Sequence, residues 1–460
     1  VLLVGLDCAE PSLVFDRWPN LLPRLSALRH QGLYGPLTST IPPITVPAWT
    51  AMLTSKDPGQ LGLYGFRNRR AHDYAPLSVA NAASVKEPTL HQLLSRQRRT
   101  SVLIGVPQTY PPRPLRGLMV SGFLTPNKDA DYTYPPDLKP ELDGLAGGEY
   151  ILDVDEFRTE DKDRLLARIQ AMTAARFNVA EHLLQREPWD FFMVVEIGLD
   201  RMHHGFWRFH DPAHRLYEPG NRFETTIRDY YVDLDRRIGR LVDLAPEGTL
   251  VLVVSDHGAR TMVGGVALNQ WLIEQGYLAL KEMPSRPERL TMDRVDWPRT
   301  RAWGEGGYYG RVFLNVAGRE PQGRVRPEEM EPLRRELMER LEKLPDDQGR
   351  PMGTRVFRPE DIYRAVKNAP PDLIVYFGDL AWRSVGTVGA GQPIHVFEND
   401  MGPDDANHAQ QGMLVMALKD GRWKTPGGRR EGMTLYDVAP TVLTHLGLPV
   451  PGDMIGHALI

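Results

Sequence analysis

The sequence predicts an α/β protein whose mostly parallel sheet delivers chemistry at its strand ends. Three observations lead there. Residues 251–254 are Val-Leu-Val-Val and run directly into Ser255-Asp256-His257-Gly258. Residues 1–6 and 189–196 are similar runs, ending at Asp7 and just before Asp200. Amphipathic helical patterns at 161–185 and 225–244 separate them. Apolar runs without alternation suit strands buried on both faces. In open α/β sheets, ligands sit outside the carboxyl ends of such strands.

Composition narrows the class. The chain has 460 residues, 42% hydrophobic, ample for a large core. A net charge of -4 gives no pull towards a nucleic acid polymer or an anionic membrane. The single cysteine, Cys8, excludes an internal disulfide framework and a Cys-based zinc site. No run approaches the roughly 20 apolar residues of a spanning helix. No signal peptide is visible either, so the expectation is a cytoplasmic protein.

Taken in order, residues 1–6 form the first strand, with Asp7 at its tip as a metal ligand or as the cap of the next segment. The order Cys8-Ala9-Glu10-Pro11 lacks the Cys-x-Pro-x-Arg of a sulfatase nucleophile, so Cys8 reads as a packed neighbour. Residues 21–30 have helical spacing. Pro47 suits the first turn of a helix continued by residues 48–53. Thr45 then lies just before that helix, where free N–H groups and a partial positive charge attract phosphate. It serves there as a cap or as a reactive hydroxyl. A turn-rich loop at 56–65 leads to Phe66-Arg67-Asn68-Arg69-Arg70, a basic cluster that is either solvated or faces a bound anion.

Residues 90–98 read as a helix, 101–106 and 118–121 as strands, and the proline-rich remainder of 107–142 as loops. If the turn after 189–196 is helical, Asp200 and His204, four apart, share one face. His203 then points elsewhere, and His210 and His214 belong to the surface. After His257, an inserted cap subdomain is expected over 263–360, with helices at 267–277 and 328–343 and a strand or hairpin at 307–315. Tyr308 and Tyr309 there either pack the hairpin or meet a leaving group. Residues 372–377 are expected back in the central sheet. His408 precedes an apolar strand and so belongs to a loop or an amino-terminal edge. Residues 434–445 form the last helix.

Six oxygen and nitrogen candidates thus stand at loops: Asp7, Asp200, His204, Asp256, His257 and His408, with Thr45 adding a hydroxyl. Two sets of three hold two divalent ions. Ions about 3.5–4 Å apart can stabilise both the attacking and leaving oxygens of an in-line displacement. Mixed carboxylate and imidazole sets suit zinc by preference, and manganese as well.

At this point the sequence resembles the alkaline phosphatase superfamily, most closely its type I phosphodiesterase/nucleotide pyrophosphatase group, in the predicted phosphohydrolase or phosphomutase branch. The resemblance spans nearly the whole chain. It rests on Gly5-Leu6-Asp7, Ile44-Thr45-Val46-Pro47-Ala48-Trp49, Gly198-Leu199-Asp200 with His204, Ser255-Asp256-His257-Gly258, Asn407-His408 and Asp437-Val438-Ala439-Pro440-Thr441. It implies an alkaline-phosphatase-like three-layer sandwich, one catalytic domain over 1–460. It further implies one zinc on Asp200, His204 and His408, another on Asp7, Asp256 and His257, and Thr45 as the nucleophile. The expected function is two-metal hydrolysis of a small-molecule phosphate ester through a phosphothreonine intermediate. The family's phosphoryl-binding Asn has no counterpart at its place, so Asn68 or Arg67 is expected to bind substrate instead. No phosphate-clamping Arg stands at a fixed position, which favours a diester or nucleotide-type substrate over a monoester. The alternatives are a phosphomutase or phosphotransferase on the same core and a non-catalytic, metal-dependent binding module.

Overall fold

The computed structural model describes residues 1–423 and 427–460. Its centre is a 10-stranded sheet. Leu2–Leu6 lies in the middle, parallel to Phe191–Glu196 on one side and to Leu250–Val254 on the other. Ser101–Val106 and Gly117–Ser121 extend the parallel set. These runs are almost wholly apolar because both faces are covered, with Ser101, Ser121 and Glu196 standing only at strand ends. Leu2, Val4, Val251 and Val253 pack into one core with helices Lys162–Arg186 and Thr226–Leu244. Leu3, Leu250, Leu252 and Val254 pack into the other, with Thr45–Thr54 and Val438–His445. The result is the expected three-layer sandwich, its layers set by the two-residue period of the strands.

Two strands run against the parallel set, the short edge strand Thr133–Tyr134 and Gln411–Leu418. Gln411–Leu418 runs antiparallel beside Leu250–Val254. Its amino-terminal end therefore lies at the carboxyl ends of the parallel strands. The residues just before it form Ala406–Ala409, which pairs antiparallel with Gly258–Thr261. His408 is thus on a short strand rather than a loop, and topology brings it to the chemistry.

Residues 372–377 do not return to the central sheet. Leu373–Tyr376 joins a separate four-stranded antiparallel sheet with Ala302–Glu305, Gly310–Leu314 and Arg355–Phe357. That sheet has its own apolar cluster around Trp303, Phe313, Leu337 and Phe377. A run buried on both faces reads the same in either sheet, so periodicity could not distinguish them. Helices Leu268–Glu274 and Met330–Glu342 match the two expected in this region. Among the described residues, no helix is long and apolar enough to cross a membrane.

Gly5 shows how the core positions the site. A Cβ there would collide with the Trp49 indole and lie 2.9 Å from Val195 Cγ2. Trp49 fills the space and donates its indole N–H to Asp7 Oδ2 at 2.8 Å. Gly5→Ala is therefore expected to cost about 1–3 kcal/mol by overpacking a buried contact. Denaturant titration checks this, and an unchanged midpoint would mean the indole has room to move.

Candidate functional site

Two groups of side chains converge at the carboxyl end of the sheet. The ligand atoms of Asp7, Asp256 and His257 lie within 4.8 Å of one another, and so do those of Asp200, His204 and His408. Asp7 stands at the end of Leu2–Leu6, and Asp256 and His257 at the end of Leu250–Val254. Asp200 and His204 share a face of helix Gly198–His210, as their four-residue spacing requires. All six are buried. The rings of His257 and His408, one from each trio, stack with centroids 3.8 Å apart, so the trios adjoin.

The three imidazoles are held in the same way. His257 Nδ1 donates to the Gly258 carbonyl at 3.1 Å, and His408 Nδ1 to the Pro43 carbonyl at 2.8 Å. His204 Nδ1 donates to Asp404 Oδ1 at 2.7 Å. Each acceptor can only accept, so each Nδ1 carries the hydrogen and each Nε2 faces inward. A hydrogen bond at the far ring nitrogen fixes the tautomer and orientation of a ligating histidine. His257 Nε2 stands 3.2 Å from Asp256 Oδ2 and 3.6 Å from Asp7 Oδ1. His204 Nε2 and His408 Nε2 stand 3.3 Å and 3.7 Å from Asp200 Oδ1.

The donor set fits a cation. Asp7 Oδ1, Asp256 Oδ2 and Asp200 Oδ1 are buried without a hydrogen-bond partner. Their sister oxygens are engaged. Cys8 N–H donates to Asp256 Oδ1 at 3.2 Å, and Arg201 Nη1 donates to Asp200 Oδ2 at 2.6 Å. Each carboxylate therefore has one oxygen fixed and the other aimed at the shared space. Unpaired buried oxygens and inward lone pairs cluster where a positive charge would satisfy them.

Without a metal, protons must do that work. Burial, then the neighbouring Asp200 charge, raises Asp7 well above the usual carboxylate range. Burial, then Asp7, does the same to Asp256. Burial alone would raise Asp200, but His204 and Arg201 hold it well below that range. Burial opposes a charge on His204, yet Asp404 and Asp200 push it up to about 9. Burial lowers His257 to about 4 and holds His408 well below its ordinary value. A proton on His204 thus stands between two carboxylates where a cation would otherwise sit.

Thr45 is the first residue of helix Thr45–Thr54, inside the helix rather than just before it, because the helix begins ahead of Pro47. Its Oγ1 is 3.4 Å from His257 Nε2. It lines a cavity of about 330 Å³ together with Asp200, His408, Tyr308 and Tyr309. Pro47 falls at the third helical position, so the first turn offers the N–H groups of Thr45 and Val46.

The two residues expected to bind substrate part company. Arg67 lines the cavity. Asn68 does not: its Oδ1 accepts from Tyr64 N–H at 2.7 Å and its Nδ2 donates to the Gly65 carbonyl at 2.9 Å. Its amide closes its own loop, so the expected contact with substrate is corrected. Arg69 is buried against Glu320.

Asp404, Arg158 and Arg201 escaped the sequence reading. Asp404 holds His204, receives Arg158 Nε at 2.9 Å and accepts from Tyr308 Oη at 3.0 Å. Tyr308 also stacks on His204 and His408. Arg201 bridges Asp200 to Asp153, meeting Asp153 at 2.6 Å. The only local signal for these was adjacency: Arg201 follows a ligand candidate, and Asp404 shares the run that leads to His408. Arg158 had none. His210 and His214, expected at the surface, are buried at 5% and 6% exposure.

Comparison with solved structures bears on the fold. Phosphonoacetate hydrolase from Sinorhizobium meliloti 1021, in complex with phosphonoacetate, is similar at 15% identity with a TM-score of 0.62, covering 97% of this chain and 95% of that one. Its complex with phosphonoformate gives a TM-score of 0.60 at the same identity and coverage. Human ectonucleotide pyrophosphatase/phosphodiesterase 5 is similar at 12% identity with a TM-score of 0.53, covering 100% of this chain and 96% of that one. No curated protein sequence matches the chain. The family model described as type I phosphodiesterase / nucleotide pyrophosphatase matches residues 1–404. With the alkaline-phosphatase-like fold and the two trios, this places the chain in the type I phosphodiesterase/nucleotide pyrophosphatase family of phosphoric ester hydrolases.

Proposed function

We propose that this chain hydrolyses small phosphate esters, with diesters or nucleotide-type esters preferred, through a covalent phosphothreonine at Thr45 and with two divalent ions held by the two trios. The observation that carries the reading is the convergence of three unpaired carboxylate oxygens and three inward Nε2 atoms beside a hydroxyl at a helix start. Asp200, His204 and His408 would hold one ion and Asp7, Asp256 and His257 the other. Zinc is the preferred metal, since the first set is nitrogen-rich, with manganese as the alternative. Bound there, such ions lower the pKa of a nearby hydroxyl and offset charge on the phosphoryl oxygens.

The protein's own groups then divide the work. Free N–H groups at the start of Thr45–Thr54 face the phosphoryl group. Thr45 Oγ attacks phosphorus in line, forming the Oγ–P bond as the bond to the leaving oxygen breaks, and the proton lost by the Thr45 hydroxyl is balanced by one taken up by the leaving oxygen. Water next attacks phosphorus, the Oγ–P bond breaks, and Thr45 regains its proton. Arg201, which meets Asp200 directly, is neutralised by Asp153 and Asp200, and Arg158, beside His204, by Asp404. That leaves little free positive charge for a dianionic monoester and supports the diester preference. Arg67 is proposed to meet the substrate at the cavity lining. The cap is proposed to run past residue 360, because Leu373–Tyr376 belongs to its sheet.

The test is a panel of aryl phosphate diesters, monoesters, phosphonates and nucleotides with metal-loaded protein. Diester cleavage that is lost on chelation and restored by zinc or manganese supports the reading. Phosphoryl transfer to an added alcohol in place of water would favour a transferase, and no cleavage at all would overturn the proposal.

A pH dependence follows from the raised groups. Ligands must be deprotonated to bind metal. His204, at about 9 without metal, carries a proton at neutral pH, and burial keeps Asp7 and Asp256 protonated above the ordinary range. Metal uptake at pH 7 is therefore expected to release protons, and affinity should rise with pH up to about 9. Calorimetry in buffers of different ionisation enthalpy measures the release, and uptake without any proton release would contradict the assignment.

A further inference from the structure

We propose that Tyr308 is a positioning residue for one metal site only. With Arg158 it clamps Asp404, so that the set Asp200, His204 and His408 holds its ion with help from outside the central sheet, whereas the set Asp7, Asp256 and His257 does not need that help. This rests on the reading of the two trios as the metal sites of a hydrolase and deepens it.

The three imidazoles differ in what the far nitrogen meets. His257 and His408 donate to the carbonyls of Gly258 and Pro43, which are neutral and belong to the backbone. His204 donates to a carboxylate, Asp404 Oδ1. A carboxylate makes the imidazole a more basic ligand, provided that the carboxylate itself stays in place. Asp404 is held at its other oxygen. Oδ2 accepts from Arg158 Nε at 2.9 Å and from the Tyr308 hydroxyl at 3.0 Å. Arg158 Nη2 donates in turn to the Tyr308 oxygen at 2.5 Å, which closes a ring of three side chains. The Asp404 side chain is 0% exposed, so its orientation depends on these donors. The Tyr308 hydroxyl is engaged both as donor and as acceptor, and is spent on Asp404 rather than on a leaving group.

The Tyr308 ring adds a second contact. It stacks on His204 with centroids 4.9 Å apart and on His408 at 4.5 Å, with interplanar angles of 21° and 29°. One side chain thus flanks both imidazoles of a single trio. Tyr308 stands in the turn between Ala302–Glu305 and Gly310–Leu314, in the separate four-stranded sheet. That turn is pinned from two directions. Gly307 and Ser384 exchange backbone hydrogen bonds at 2.9 and 2.8 Å, and Asn407 Nδ2 donates to the Tyr308 carbonyl at 2.9 Å. Asn407 directly precedes His408, so one amide sets the spacing between the tyrosine and the ligand it flanks. Arg158 comes from the segment before helix Lys162–Arg186. The other trio takes its supporting contacts from the core: Trp49 for Asp7, Cys8 N–H for Asp256 and the Gly258 carbonyl for His257.

The experiment measures zinc affinity by competition with a chromophoric chelator, with the absorption spectrum of bound cobalt as a second readout. His204→Ala and Asp256→Ala each remove one equivalent and so identify the two. Tyr308→Phe keeps the ring and loses the hydroxyl, and should weaken the His204 equivalent about tenfold; Tyr308→Ala loses both and should weaken it about 100-fold, the range seen when a ligand's hydrogen-bonded support is removed. The other equivalent should keep its affinity and its cobalt spectrum. In an Asp256→Ala background, Tyr308→Phe should still weaken the remaining equivalent, and in a His204→Ala background it should change nothing. Arg158→Gln should act on the same equivalent as Tyr308→Phe, which decides the matter should Tyr308→Ala fail to fold. Equal weakening of both equivalents would mean that Tyr308 only supports the fold, and no weakening of either would mean that Asp404 is held without it. Both results overturn the inference and leave the hydrolase reading intact. Wild-type protein that binds neither zinc nor cobalt overturns both.

Discussion

His204→Ala and Asp256→Ala are each expected to remove one cation site and most of the turnover. Metal stabilisation of transition-state charge is worth several kcal/mol, so the loss should be roughly thousandfold or more. Elemental analysis should find one equivalent of metal missing in each variant. The stability effects should differ, because the metal-free environments differ. His204 is charged between Asp200 and Asp404, and removing it leaves two buried carboxylates facing each other. Its value in the folded, metal-free protein, about 9, lies above an unfolded value near 6.5. Its contribution is therefore complete below about pH 6.5 and is lost as pH rises through 9, on the order of 3 kcal/mol across that window. Metal-free wild-type protein should lose melting temperature over that range, and His204→Ala should start lower and change less. Asp256→Ala instead relieves the crowding of Asp256 against Asp7 and should keep the metal-free stability. Asp404→Asn keeps the shape but weakens the hold on His204, and should cost about 10–100-fold in metal affinity. Full metal content and full turnover in His204→Ala and Asp256→Ala would mean that the trios are not the metal sites.

The fold and the six converging residues were legible because they follow from one-dimensional patterns. A buried parallel strand must be apolar throughout and must end where its backbone leaves the sheet. Asp7 and Asp256-His257 therefore announce themselves as polar residues placed directly after apolar runs. Asp200 and His204 are legible because a helix repeats every 3.6 residues. His408 was legible as a residue but not as a position. Its place depends on Gln411–Leu418 running antiparallel to Leu250–Val254, and nothing in an apolar run reports its direction. The same blindness misassigned 372–377, whose strand pairs in the separate four-stranded sheet.

What supports the six was mostly illegible, because it depends on contacts between distant segments. Asp404 reaches His204 across 200 residues of sequence, and Arg158 reaches Asp404 from a loop with no pattern of its own. Asn68 fails for a related reason. Its residue type suits a phosphoryl ligand, but a loop of five residues needs its amide more, and both ends of that amide are used within the turn. Residue type indicates what a side chain can do, and local closure decides what it is free to do.

Thr45→Ala is expected to abolish the covalent intermediate and to lower turnover on the order of 10⁴-fold or more, as loss of a nucleophile does. Position is the first argument. Thr45 is 3% exposed, lines the cavity and holds Oγ1 3.4 Å from the inward nitrogen of His257. Competition is the second. Thr40 Oγ1 donates to the Pro42 carbonyl at 2.7 Å, Thr50 Oγ1 to the Val46 carbonyl at 2.7 Å, and Thr54 Oγ1 to the Thr50 carbonyl at 2.8 Å. The neighbouring threonine hydroxyls are therefore spent on backbone, whereas Thr45 Oγ1 faces the site. Electrostatics is the third. The N–H groups of Thr45 and Val46 leave the first turn open to an anion, and Pro47 has no N–H to add. Thr45→Ser should retain measurable turnover, since it keeps the oxygen and loses only a methyl group. Acid quenching of wild-type protein with a labelled ester should trap label on Thr45, and none should be trapped on Thr45→Ala. Two in-line steps each invert phosphorus, so a chiral substrate should be hydrolysed with net retention. Inversion, or a Thr45→Ala variant that turns over at the wild-type rate, would mean that water attacks the ester directly and that Thr45 only caps its helix.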